Sequence, residues 1–257
     1  MSIQRVKELI DNKQFVFGTH VSLGDSCISE LIGDVGFNAV WIDWEHSALD
    51  RMQILSHLMA LRGTGCAAFV RVPWNDPIYT KPILEMGPDA VVFPMICTRS
   101  EAEAAVASCT YPPKGSRGFG PRRANRYGAQ SNSEYLATYE EKLWRVMQIE
   151  HVVAVKNLDE ILKVDGVDAV VVGPNDLSGS IGLLGQTRHP DVLALMDEIG
   201  TICCRARKPF GSSMGLDTTS IKEWRDRGAS FIFAGNDTGY LHDGAKTTLD
   251  TLKDIFY

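Results

Sequence analysis

VVVGPNDLSGSIG, Val170–Gly182, begins as a buried strand and stops abruptly. Three valines lead into Gly173 and Pro174, which halt a strand, and an acid, Asp176, follows at once. An apolar run bounded in this way suits a strand covered on both faces, as in a parallel sheet. A carboxylate just beyond its C-terminal end sits where open α/β sheets and α/β barrels keep their chemistry.

The same figure recurs along the chain. The runs FVFGTHV (15–21), AVWIDWE (39–45), AAFVRVP (67–73), AVVFPMI (90–96), WRVMQIE (144–150), AVVVGP (169–174), PFGSSMG (209–215) and ASFIFAG (229–235) make eight candidate strands, the seventh unusually polar. Between them, apolar residues at i, i+3, i+4 spacing predict helices over 25–35, 49–61, 76–86, 99–109, 152–163, 190–207 and 217–227, with a last helix over 241–256. Gly-containing stops DVGF (34–37), EMGP (85–88) and DRGA (226–229) close several of them. Strands alternating with helices imply right-handed βαβ units. Eight such units in 257 residues predict one α/β domain over 1–257, a single (β/α)8 TIM barrel. The rival, a doubly wound open sheet, would carry a glycine-rich turn after its first strand, and THVSLGDS (19–26) has no GxGxxG.

Composition narrows the function. A net charge of −6 with no Lys/Arg-rich run argues against nucleic acid and anionic membranes as partners. The polar, amphipathic start MSIQRVKELIDNKQF has no signal-peptide core, and no stretch is apolar for the ~18 residues of a membrane span. A cytoplasmic protein is expected. The six cysteines form no CxxC pair, which gives no zinc signal and suits buried thiols in a reducing compartment.

One connection is too long for the pattern. Residues 111–142 separate the fourth helix from the fifth strand. They read either as a surface excursion with a short helix near 133–142, or as a loop over the barrel mouth. In the second case Arg117, Arg122, Arg123 and Arg126 would meet an anionic substrate or a neighbouring subunit.

In such a barrel the chemistry gathers at the C-terminal ends of the strands. Those ends carry Asp43-Trp44-Glu45-His46, Arg71, Gln148-Ile149-Glu150 and Gly173-Pro174-Asn175-Asp176. Glu150 and Asp176 lie on consecutive strands, and paired carboxylates without His or Cys suit a hard divalent ion of the magnesium or manganese kind. Asp176 alone could equally cap a helix. Arg71, inside an apolar strand, needs an anion: Asp43 or Glu85 within the barrel, or a substrate carboxylate or growing oxyanion. His46, three residues after Asp43, is a candidate general base oriented by a carboxylate. His20 reads as a core or supporting residue. The turn at Gly173-Pro174-Asn175 leaves amides free for an anion, and Gly235-Asn236-Asp237 is a weaker site of the same sort. No lysine stands at a strand's C-terminal end, which disfavours a lysine-imine mechanism. Cys97 has no adjacent histidine to make it a nucleophile.

Together GFNAVWIDWEHS (36–47), VRVPWNDP (70–77), VVFPMI (91–96), YPPKGSRGFG (111–120), QIE (148–150) and GVDAVVVGPNDLSGSIG (166–182) resemble the HpcH/HpaI aldolase family, metal-dependent class II pyruvate aldolases. The resemblance runs from about Phe17 to the C-terminus. It implies a (β/α)8 barrel whose C-terminal helix is exchanged between subunits, in a homo-oligomer built from dimers and often a hexamer. It implies reversible cleavage of a 4-hydroxy-2-oxo acid to pyruvate and an aldehyde through an enolate stabilised by a divalent cation, Mg2+, Mn2+ or Co2+. Glu150 and Asp176 would then be the metal ligands. Arg71 would bind the pyruvate oxygens, and His46 with Asp43 would form the acid–base system. Gln148, Gly173, Asn175 and Asp176 would help to hold substrate, with Ser213 lining its pocket. Glu85, where relatives commonly have Asp, would stand behind the site. The polar GSSMG (211–215) departs from the usual apolar stretch and leaves the substrate's identity open. Two other readings remain: an acyl-CoA lyase of the same superfamily, and a non-catalytic barrel that binds an oxo acid.

Overall fold

The computed structural model describes residues 2–257. Eight parallel strands close into a barrel in chain order: β1 (Val16–Val21), β2 (Ala39–Asp43), β3 (Ala67–Arg71), β4 (Ala90–Phe93), β5 (Trp144–Ile149), β6 (Ala169–Val172), β7 (Phe210–Met214) and β8 (Phe231–Asn236), which pairs back onto β1. The helices are α1 (Ser2–Asp11), α2 (Cys27–Val35), α3 (Arg51–Ala60), α4 (Pro77–Met86), α5 (Arg99–Cys109), α6 (Asn132–Thr138), α7 (Val152–Lys156), α8 (Leu158–Leu162), α9 (Pro174–Gly179), α10 (Pro190–Ala206), α11 (Thr218–Asp226) and α12 (Asp237–Phe256). All eight expected strands form, and the barrel is closed. Among the described residues no helix is long and apolar enough to cross a membrane.

Two apolar layers follow from the period of a strand, in which alternate side chains face opposite ways. Inside the barrel, Trp41, Phe69, Val92, Val146, Val171 and Phe233 interlock. Outside it, Val40, Ile42, Val70, Val91, Ile149 and Val172 meet the helices. The polar β7 is explained by the interior. A Cβ at Gly211 would stand 2.1 Å from the Phe231 carbonyl oxygen, and one at Gly18 would stand 2.4 Å from the Phe233 ring. Small residues on β1 and β7 leave room for the two rings of β8.

The glycine stops act as read. Gly36 and Gly87 end α2 and α4 with φ of 110° and 70°, a conformation that β-carbons disfavour. The helix expected over 152–163 is broken at Asn157, whose side chain instead donates to the Cys97 carbonyl at 2.9 Å. The amphipathic N-terminus forms α1, which places Ile3 and Val6 in the barrel interior layer. Asp89 anchors it, accepting from the amides of Ile3 at 3.3 Å and Ala68 at 2.9 Å.

Residues 111–142 do not cover the mouth. They join the end of α5 to the start of β5, and a helix-to-strand connection lies at the N-terminal ends of the strands, opposite the catalytic face. Arg117 is buried there. Its Nη2 donates to Glu85 Oε1 at 3.1 Å and to the Tyr135 hydroxyl at 3.0 Å, and its guanidinium lies 4.5 Å from the Tyr111 ring centre. Arg123 bonds the carbonyls of Leu58, Met86 and Gly87. The expectation that Glu85 stands behind the site is corrected for the same reason: it lies in the last turn of α4, which ends at the far side of the barrel.

The last helix begins four residues earlier than the periodicity indicates. Asn236 caps it by accepting from the Gly239 amide at 2.7 Å. Asp237, 4% exposed, takes the amides of Ser22 and Leu23, each at 2.8 Å. The turn after β8 is therefore filled by its own carboxylate, which leaves no place for an anion. Beyond this first turn α12 stands off the barrel, with Leu241, Leu249, Leu252, Ile255 and Phe256 all exposed.

Candidate active site

Asp43 and Arg71 face each other across β2 and β3 in register. Each lies two residues beyond an interior aromatic, Trp41 or Phe69, so both side chains turn inward at the C-terminal end of the barrel. Arg71, 7% exposed, donates from Nε to Asp43 Oδ1 at 3.0 Å and from Nη2 to Asp43 Oδ2 at 2.5 Å. Its third nitrogen, Nη1, lies 2.8 Å from Glu45 Oε2, and Trp41 packs 5.3 Å from the guanidinium. Burial works against the Asp43 charge, but the bonds and charge of Arg71, with the amides of His46 and Glu45, hold its carboxyl below the usual range. Burial raises Glu45, helped by the charges of Asp43 and Asp176 and opposed by Arg71 and His46.

Glu150, 2% exposed, ends β5 among these groups. Oε1 accepts from the Met95 amide at 2.8 Å and Oε2 from Gln148 Nε2 at 2.6 Å. Met95 has φ of 54°, a left-handed backbone unusual for a side chain with a β-carbon, and this turns its amide onto Glu150. Burial, with the charges of Glu45 and Asp176, pushes the Glu150 carboxyl up to about 7. Gly173 has φ of −100°, open to any residue, yet a Cβ there would meet Glu150 Oε2 at 2.5 Å. The glycine is needed for space.

Asp176 lies in the first turn of α9 and is exposed. The cap position belongs to Gly173, which has no side chain to cap with, so Asp176 does not cap the helix. Its charge raises both Glu45 and Glu150, which places it toward them. Among the described residues no cluster of three or more His, Cys, Asp or Glu forms a ready metal cage. The donor set still fits a hard divalent ion. Asp43, Glu45 and Glu150 lie around Arg71, with Asp176 toward Glu45 and Glu150; the ligand atoms are all oxygens, and such ions keep several waters. The buried Gln148 Oε1 has no partner within the protein, so it can accept from a substrate or a water.

The structure does not bring the His46 imidazole to Asp43. It is the His46 backbone amide that reaches Asp43, at 3.2 Å, while the ring lies 3.8 Å from Glu45 Oε2 with its side chain 64% exposed. Asn175 lies exposed at the rim beside Asp176. Ser213 lies inward on β7, 2.7 Å from His20 Nε2. Glu45 and Met95 were missed by the sequence reading. Glu45 was visible as an acid two residues past Asp43, but only the fold shows that both reach one guanidinium. A left-handed backbone at Met95 leaves no mark in the residue type.

Known proteins resemble this chain over almost its whole length. A family model described as HpcH/HpaI aldolase/citrate lyase matches residues 17–243. The 5-keto-4-deoxy-D-glucarate aldolase of Escherichia coli (strain K12 / DH10B) is 34% identical over 252 residues, 97% of this chain and 96% of the relative. The crystal structure of an HpcH/HpaI aldolase/citrate lyase family protein from Burkholderia cenocepacia J2315 superposes with a TM-score of 0.90 at 29% identity, covering 97% of this chain and 99% of the other. That of an HpcH/HpaI aldolase from Desulfitobacterium hafniense DCB-2 gives 0.89 at 27% identity, covering 96% of each.

Proposed function

The chain belongs to the HpcH/HpaI aldolase/citrate lyase family and is a carbon–carbon lyase, and on that premise we propose how its own residues cleave a 4-hydroxy-2-oxo acid reversibly to pyruvate and an aldehyde. The observation that carries the reading is the buried Arg71, fixed on two sides by Asp43 and Glu45 beside Glu150. A guanidinium already locked in place stabilises a growing enolate oxygen without reorganising in the transition state. The amides of Asn175 and Asp176, at the turn opened by Gly173, receive the substrate carboxylate. Gln148 supplies an acceptor through its unpartnered Oε1.

Glu150 and Asp176 would hold a divalent cation, magnesium, manganese or cobalt, which when bound supplies Lewis-acid stabilisation of negative charge on the oxo-acid oxygens. His46, at the open rim, takes the proton of the 4-hydroxyl, with Glu45 rather than Asp43 beside its ring. The C3–C4 bond then breaks, its electron pair passes into the enolate, and the aldehyde leaves. Protonation at C3 gives pyruvate. Asp43 serves by holding Arg71.

The same reading extends to assembly. An α12 with its apolar residues in the open is what a helix exchanged with a neighbouring copy would look like in one chain, which supports a homo-oligomer. Free thiols at all six cysteines suit a cytoplasmic setting.

The test is deuterium exchange into the methyl group of pyruvate. The protein with magnesium or manganese should exchange it, and thorough chelation should stop it. Exchange that survives chelation overturns the metal-assisted reading; absence of exchange with metal present turns the barrel into a binding protein.

A further inference from the structure

The Asn157 side chain is turned away from its own helix. Asn157 stands between α7 and α8, ending the first and beginning the second, with φ of −99° and ψ of 2°. An asparagine at a helix start ordinarily accepts from an amide of the next turn. Here α8 has no side-chain cap, and Asn157 Nδ2 donates instead to the carbonyl of Cys97, 60 residues away in the chain, at 2.9 Å.

What it grips is the turn after β4. The Met95 amide donates to Glu150 Oε1 at 2.8 Å, that of Ile96 to the Gln148 carbonyl at 3.3 Å, and that of Cys97 to Glu101 Oε2 at 2.7 Å. The turn takes this course because Met95 holds φ of 54°. A residue with a β-carbon keeps that conformation only where its surroundings over-determine it. If Met95 relaxed to a negative φ, its amide would swing off Glu150. The bond from Asn157 to the Cys97 carbonyl closes the turn on its far side.

α7 is tied at its other end as well. The Val152 amide donates to Ser180 Oγ at 2.9 Å, and the Ser180 amide to the Asp176 carbonyl at 2.8 Å. One short helix thus joins the turn that fixes Glu150 to the helix that carries Asp176. A carboxylate oxygen accepts two bonds. With Met95 on Oε1 and Gln148 on Oε2, Glu150 is fixed in direction, and each oxygen keeps a lone pair for a ligand.

We propose that Asn157 is a positioning residue for the divalent cation: by holding the Cys97 carbonyl it keeps Met95 left-handed, and the Met95 amide then aims Glu150 at the ion. This rests on the reading of Glu150 as a metal ligand. Groups that orient a metal ligand govern affinity from outside the coordination shell.

The experiment measures manganese affinity of the substrate-free protein by calorimetry, in the wild type, Asn157→Leu, Met95→Gly and the double variant. Leucine keeps the volume of the side chain and loses the donor. Asn157→Leu should weaken manganese binding about tenfold, the lower end of what loss of an outer partner costs. Glycine takes φ of 54° without a tie, so in the Met95→Gly background the same substitution should cost clearly less. A merely structural Asn157 would give no such rescue. Should Asn157→Leu fail to fold, Asn157→Asp, of the same shape but without an N–H to donate, takes its place. Unchanged affinity overturns the proposal and leaves the aldolase standing. So does an equal loss in both backgrounds. A wild type that binds no manganese, or a Glu150→Gln variant that binds it as well as the wild type, removes Glu150 as a ligand and the proposal with it.

Discussion

The carboxylate of Glu150 occupies the space in which Gly173 would carry a side chain: a Cβ at Gly173 would stand 2.5 Å from Glu150 Oε2 and 3.0 Å from Gln148 Nε2. The turn after β6 and the acid at the end of β5 are thus one device. Gly173→Ala should keep the fold, since its φ of −100° suits alanine. It should push Glu150 away from Gln148 and lower kcat/KM about 100-fold, the scale of a small misplacement at a reacting centre. Kinetics with a thermal melt check this; a fully active variant would mean that Glu150 moves freely.

Arg71 is held by three contacts to two acids, and lysine has a single nitrogen to offer them. Arg71→Lys should keep the charge, lose the paired grip on Asp43, and reduce kcat by about 10²–10³, as removal of an oxyanion donor does. Arg71→Ala should also destabilise the protein by about 3 kcal/mol, because Asp43 and Glu45 are left buried and unpaired. Steady-state kinetics and urea unfolding separate the two effects.

Much of this was open to a reader of the residues. Strands such as AVWID and AAFVR are apolar up to their last residue because both faces are covered, and their charged ends align once the barrel is assumed. Three things stayed hidden. His46 follows Asp43 closely, yet the chain leaves β2 there and turns the ring toward Glu45, since spacing beyond a strand end has no fixed direction. Glu85 and Arg117 look functional as charges near apolar runs, but which end of the barrel they occupy depends on whether they lie before or after a helix. Met95 acts through its backbone amide, which its side chain does not advertise.

Without a bound cation, Glu150 should make the protein less stable as pH rises. Its pKa of about 7 lies above the ~4.3 of an unfolded glutamate. Between those values the native state keeps a proton that the unfolded chain has released, so stability is highest at the acid side and falls through this window. The full effect is about 4 kcal/mol by pH 8. Melting temperatures from pH 5 to 8 should fall more steeply for the chelated wild type than for Glu150→Gln, and millimolar magnesium should remove the wild-type decline. Parallel slopes would show that Glu150 ionises freely.

α12 gives the fourth expectation. Leu252 and Ile255, 49% and 68% exposed, lie on a 20-residue helix of which only Asp237 is buried. Apolar side chains spread along an exposed helix mark an interface. Light scattering should find the wild type as a multimer and Leu252→Glu with Ile255→Glu as smaller species. A monomeric wild type would refute the exchange.

Arg117 separates the two ends of the barrel. At the mouth its loss would abolish activity; at the base, where it pairs with Glu85 and lies on Tyr111, its loss should act on stability alone. Glu85 is partly open to water, which moderates the cost of stranding it, and Arg117→Met should lower stability by about 2 kcal/mol. The folded fraction should keep wild-type kcat/KM at a temperature well below its melt. A variant that folds as well as the wild type but turns over poorly would return residues 111–142 to the substrate's side of the barrel.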